Sequence, residues 1–194
     1  MKFLIGLLTA ILITGIASAQ HGNSPTGHIN IGIKGGVNVY NVHNDNNIKY
    51  DPRIGFNFGL LGHIHLNNQF AIQPELVYSA QGAIQTVDNG TNKLNLDYIN
   101  VPVLLQYMFD NGLRLQAGPQ VGFLVSAKSN SIDVKNDMNP IDLALSFGAS
   151  YVFPATGWGI DARYNLGLSN INKNGTVNST NRGFQLGIFY ILGH

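Results

Sequence analysis

The side chains best suited to chemistry cluster in one short stretch, with His63 and His65 followed by Gln73, Glu75 and Ser79. Serine, histidine and an acid are the ingredients of a hydrolytic triad, where imidazole takes the hydroxyl proton and a carboxylate orients the ring. Geometry argues against a triad here. If residues 70–81 fold back on 53–66 through Asn67, Asn68 and Gln69, His63 lies opposite Gln73. Ser79 then falls several residues further along the strand, beyond hydrogen-bond reach of the imidazole. His63 and His65 are also metal-ligand types, but no third ligand accompanies them. The expectation is a protein with no catalytic site, no metal and no cofactor.

A second set is ionic. Lys34, Arg53, Glu75, Arg114, Asp142, Asp161 and Arg163 each sit in an alternating segment, on the same parity as Gly, Asn, Gln and Ser. If that parity lines a narrow interior, each charge is desolvated and needs a partner. Opposite signs in similar number then predict a mutually satisfied network that plugs the interior. A selectivity ring or a proton path is the alternative use of the same residues.

Strands must position these groups. In 157–171, Trp158, Ile160, Ala162, Tyr164, Leu166 and Leu168 alternate with Gly159, Asp161, Arg163, Asn165 and Gly167, the period-2 pattern of a strand with one apolar face. The same grammar recurs in seven other segments, at about 28–40, 53–66, 70–81, 98–109, 113–126, 141–153 and 182–192. Connections alternate between three or four residues and about twelve, the habit of outer-membrane barrels with tight turns on one side and long loops on the other. Asp110-Asn111-Gly112 closes one short turn, its glycine suited to the left-handed position.

Parity alone does not say whether the apolar faces look inward to a core or outward to lipid. Eight strands each carrying about five or six large apolar side chains would overfill the interior of an eight-stranded barrel, whereas the Gly, Asn, Gln and Ser face fits there. Phe70, Phe109, Phe153 and Trp158 gather beside the short turns, where an interfacial aromatic girdle lies. The expected fold is all-β: one eight-stranded antiparallel up-and-down transmembrane barrel, greasy outside and polar inside.

The remaining composition agrees. Lys2, the apolar run 3–16 and Ala17-Ser18-Ala19 have the form of a secretory signal peptide over 1–19, followed by a polar leader over 20–27 and a barrel domain over 28–194. The sequence has no cysteine, so neither disulfides nor thiolate metal sites are available. Net charge is +1 and charged residues make up 11%, which provides no basic footprint for nucleic acid. The long connections are rich in asparagine (43–47, 88–90, 174–180); Asx-turn chemistry accounts for this, and such loops also offer hydrogen bonds to glycans or lipopolysaccharide.

Five runs, IGIKGGVN from Ile31, QPELVYSAQGA from Gln73, DYINVPVLLQYMF from Asp97, LQAGPQVGFLVS from Leu115 and DARYNLGLSNI from Asp161, resemble in order the strand motifs of the Bacteroidetes outer-membrane β-barrel family known as the porin or PorT family. The resemblance implies a barrel in the outer membrane of a Gram-negative cell, reached through a cleaved signal peptide. Its implied partners are outer-membrane lipid, lipopolysaccharide and the barrel insertion machinery. The expected role is non-enzymatic: a structural or accessory barrel, its lumen plugged, whose exterior loops meet a protein or glycan ligand. The alternatives are a narrow passive channel for ions or small solutes and an outer-membrane lipid hydrolase.

Overall fold

The computed structural model describes residues 29–46, 49–87, 90–173 and 177–192. The expected signal peptide and leader lie outside the described residues. Within them are β1 (Ile29–Asn44), β2 (Asp51–His65), β3 (Phe70–Val87), β4 (Gly90–Met108), β5 (Leu113–Ser129), β6 (Ile132–Asp133), β7 (Ile141–Val152), β8 (Trp158–Gly167) and β9 (Ser179–Ile191). Neighbours pair antiparallel in the order β4-β3-β2-β1-β9-β8-β7-β5, and β4 also pairs with β5. The ladder therefore closes on itself as an eight-stranded ring, with β6 a two-residue strand on the rim of β5.

The short turns form as their sequences dictate. Asn67 Oδ1 accepts hydrogen bonds from the backbone of Gln69 and Phe70 at 2.9 and 2.8 Å, and Leu66 N donates to Phe70 O at 2.9 Å. Gly112 takes a φ of +91° and donates to Phe109 O, the left-handed role expected of it.

Side chains sort by parity. Ile31, Ile33, Val37, Phe56, Phe58, Leu60, Leu105, Leu143, Leu145, Phe147, Leu186 and Ile188 all face outward and are exposed. Lys34, Asn38, Asn57, Glu75, Gln116, Ser146, Arg163 and Gln185 face inward and are buried. Apolar outside and polar inside is the arrangement a lipid-embedded barrel needs, since hydrocarbon replaces water at its outer wall.

The strands differ from expectation at the long-loop end. β1 runs to Asn44 rather than 40, β3 to Val87 rather than 81, and β4 begins at Gly90 rather than 98. The reason is a reversal of the pattern. On β4, Ile99, Val101, Val103 and Leu105 lie on the outward parity, whereas Leu96 and Tyr98 point inward and are fully buried. With Val42, Ala83, Leu124, Ala127, Met138 and Ile171 they form an apolar core at the long-loop end of the barrel. The 127–140 connection is correspondingly structured: Met138 bridges Asn172, Asn139 N donates to Ile171 O at 2.8 Å, and Asn139 Nδ2 donates to the carbonyls of Asn170 and Asn172.

One break in the ladder is filled from inside. The β2–β3 register shifts between Pro52 and Asn57, near Gly82 with its φ of +130°. Asn38 Nδ2 reaches across from β1 to the carbonyls of Phe56 at 2.9 Å and Ala80 at 3.0 Å, and Arg53 Nη1 donates to Gln81 O. Carbonyls released by the bulge are thus satisfied by side chains.

Truncation of Leu96 to Ala should destabilise the apolar core by about 2 to 4 kcal/mol. Hydrogen exchange would register this as faster exchange in 90–97 with little change in 99–107.

Candidate functional site

The interior of the barrel is the place where the sequence-predicted polar residues converge. Four of them form a closed ionic cluster. Glu75 on β3 accepts two hydrogen bonds from Arg163 on β8, Nη1 to Oε2 and Nη2 to Oε1, both at 2.9 Å. Lys34 Nζ on β1 lies 3.3 Å from Glu75 Oε2 and 3.2 Å from Asp161 Oδ2, and Arg163 Nη2 is 3.4 Å from the same Asp161 oxygen. All four side chains are at most 4% exposed. Two cations and two carboxylates leave the cluster without net charge. The parallel Arg163–Glu75 bonds fix both position and plane, which a lysine at 163 would not do.

Amides extend the cluster. Gln73 Nε2 donates to Glu75 Oε1 at 2.7 Å, and Gln106 Nε2 donates to Gln73 at 3.0 Å and to Gln116 at 2.9 Å. Toward the long loops, Ser146 Oγ donates to Asn165 Oδ1 at 2.5 Å, and Asn165 Nδ2 donates to the Tyr40 hydroxyl at 2.6 Å. On the facing wall Asn57, Asn38, Ser79, Gln81 and Asn181 form a second chain of bonds between 2.6 and 3.0 Å. Apolar groups bound this polar interior at both ends. Leu61, Val152, Phe189 and Ile191 cluster toward the short turns, and the core around Leu96 and Ile171 stands at the other end.

Three residues expected in the ionic network stand outside it. Arg53 is half-buried and engaged at the β2–β3 bulge. Asp142 accepts a hydrogen bond from Ser169 Oγ at 2.8 Å near the long-loop end. Arg114, buried near the short turns, has no ionic partner among the described residues. Parity placed these charges on the inner wall but could not place them along the barrel axis.

The hydrolytic ingredients do not assemble. Ser79 sits opposite Asn57, where its hydroxyl accepts from Asn38 at 2.9 Å and Gln81 at 3.0 Å. His65 lies opposite Ala71 and Ile64 opposite Ile72, which sets His63 beside Gln73, packed edge-on against the His65 ring with centroids 4.5 Å apart. Among the described residues no group of three His, Cys, Asp or Glu is placed to hold a metal ion. Outside, Phe70, Phe109, Phe153 and Trp158 are exposed beside the short turns, each packed against a tyrosine: Tyr107 for the first two, Tyr151 and Tyr190 for the others.

The residues that the sequence reading missed are the inward apolar ones of the long-loop end, Val42, Leu96, Leu124 and Ile171. Their signal was present: Val42, Leu96 and Leu124 continue the inward parity of their strands, and Ile171 lies just past the end of β8.

A family model described as outer membrane protein beta-barrel domain matches residues 18–173. Solved structures are similar in fold. The attachment invasion locus protein Ail of Yersinia pestis is 18% identical, with 84% of this chain and 98% of that chain covered and a TM-score of 0.53. The same protein in complex with the heparin analogue sucrose octasulfate is 19% identical over 86% and 99%, with a TM-score of 0.51. Neisserial surface protein A is 13% identical over 82% and 96%, with a TM-score of 0.53. No curated protein sequence matches this chain.

Glu75→Gln should destabilise the barrel by about 3 to 5 kcal/mol, because two buried cations lose their shared partner. The pair Glu75→Gln with Lys34→Met removes one charge of each sign and keeps the Arg163–Asp161 contact. In urea unfolding from lipid vesicles, its midpoint should lie above that of the single variant.

Proposed function

This chain belongs to the outer membrane protein beta-barrel domain family, and on that premise we propose that it is a non-enzymatic, non-conducting barrel that holds a folded exterior surface for ligand or partner contact. The observation that carries the reading is the neutral Lys34, Glu75, Asp161 and Arg163 cluster across the lumen, with an apolar cluster on either side of it. An ion entering this interior would have to break bonds of 2.9 to 3.4 Å between buried charges and pass two apolar seals. A passive channel is therefore disfavoured, and so is hydrolysis, because Ser79 and His63 are committed to different neighbours.

The exterior supports the positive half of the proposal. The β5–β7 connection and residues 170–173 are joined by backbone bonds and enclose Met138 and Ile171, so these segments present polar groups from a fixed backbone. Preorganised loops lose little entropy on binding. Asparagine and lysine along this surface fit protein or glycan hydroxyls and carbonyls, and lipopolysaccharide surrounds its base. The five motif runs from Ile31 to Ile171 support a place in the Bacteroidetes porin or PorT branch, and the Lys2 to Ala19 pattern supports export through a cleaved signal peptide.

Single-channel recording of refolded residues 20–194 in planar bilayers tests the reading. A heat-modifiable, folded barrel should stay electrically silent, and Arg163→Ala should open discrete events. Stable openings of the unaltered protein would overturn it in favour of a pore.

A further inference from the structure

Among the described residues, one buried cation is left without an acidic partner when the interior bonds are assigned. Arg114 follows the 110–112 turn at the start of β5 and points into the lumen, where it is 9% exposed. Among the described residues its Nη1 is buried without an acceptor, and no carboxylate pairs with the guanidinium. The interior carboxylates are engaged elsewhere. Glu75 is bound by Arg163 and Lys34, Asp161 faces the same two cations through Oδ2, and Asp142 is held by Ser169 near the far end. Two more buried donors without acceptors belong to the residues next to Arg114 on the inner wall. Gln116 Nε2 belongs to the next inward residue of β5, and Ser150 Oγ lies directly opposite Arg114 in the β5–β7 register.

We propose that this corner of the lumen is a binding site for a small monovalent inorganic anion, with chloride as the abundant occupant. Arg114 supplies the charge, and Gln116 Nε2 and Ser150 Oγ complete the donor set. A buried guanidinium without a counter-charge is unfavourable, whereas an anion between it and two neutral donors satisfies all three groups at once. One uncompensated cation matches one negative charge. Val152, two residues along β7 from Ser150 on the same face, presents carbon to the site on its short-turn side. The site lies beside the short turns, so an anion reaches it from that mouth past the apolar cluster of Leu61, Val152, Phe189 and Ile191 alone, without crossing the Lys34–Arg163 cluster. His63 stands within electrostatic range of the guanidinium, and Asp161, opposite Ser150 in the β7–β8 register, keeps its Oδ2 on Lys34 and Arg163.

Bromide is the probe, used on the full barrel in vesicles at constant ionic strength with gluconate as the replaced anion. The urea midpoint of the unaltered protein should rise saturably with bromide, and the same titration of Arg114→Gln should be flat. Crystals grown in bromide should show an anomalous peak beside residues 114, 116 and 150, a readout that stands even where Arg114→Gln fails to fold. A midpoint indifferent to the anion, a rise that persists in Arg114→Gln, or bromide crystals with no peak at this position would overturn the proposal.

Discussion

Ring closure is the constraint from which the rest of this structure follows. Hydrocarbon offers no hydrogen bonds, so every backbone N–H and C=O of a strand in lipid needs a neighbouring strand, and only a closed ladder leaves no edge. Closure at eight strands fixes a lumen about as wide as the side chains that project into it. The interior must therefore be filled, and large groups fit only where the facing wall is bare. Tyr40 lies against Gly183, where a Cβ would run into the ring, and Tyr98 lies near Gly122, whose Cβ would come within 3.3 Å of the tyrosine ring. The glycines on the inner parity are thus the space that the two buried tyrosines occupy.

Filling with charge is a different decision from filling with carbon. A buried ion pair recovers little more than its desolvation cost, so the Glu75, Arg163, Lys34 and Asp161 cluster adds little to net stability compared with apolar groups of equal volume. What it adds is selectivity among arrangements. Glu75 and Arg163 lie on β3 and β8, with β9, β1 and β2 between them in the ring, so their bidentate contact spans the lumen. A slip of one residue in any of those ladders would turn one partner toward lipid, at a cost far larger than a lost hydrogen bond. The cluster reads the register of half the barrel in one place.

Much of this was legible in the sequence, and the boundary of legibility has a physical cause. Eight alternating segments, the short turns at Asn67 and Gly112, and the inward parity of Lys34, Glu75, Asp161 and Arg163 all follow from period 2 and turn chemistry. Parity fixes which face a residue takes but carries no information on height, and height depends on the stagger accumulated around the ring. Arg114 and Asp142 share the inward face with Glu75 yet lie toward opposite ends of the barrel, so membership of one face did not make them members of one network. The extended strand ends escaped for another reason. Beyond the lipid the outer face meets water, so NVHN around Val42 and KLNLDY around Leu96 have apolar residues on the inward parity. A search for outward apolar alternation sees polar loops there, although the ladder continues.

That reversal also separates the two halves of the molecule by role. Within the lipid the inner wall is bound into chains: its polar groups bond one another from Gln116 through Gln106 and Gln73 to Glu75, and from Gln120 through Ser146 and Asn165 to Tyr40. Above it the strands enclose carbon instead, which frees the polar side chains to point outward. His43, Lys93 and Lys128 are exposed there on ladders that remain paired, and Asn139 ties two long connections together. The proposed contact with a ligand or partner rests on this surface because it is polar and stands on its own apolar core. The barrel below supplies the anchor and the register; the apolar core above converts that register into a fixed exterior face.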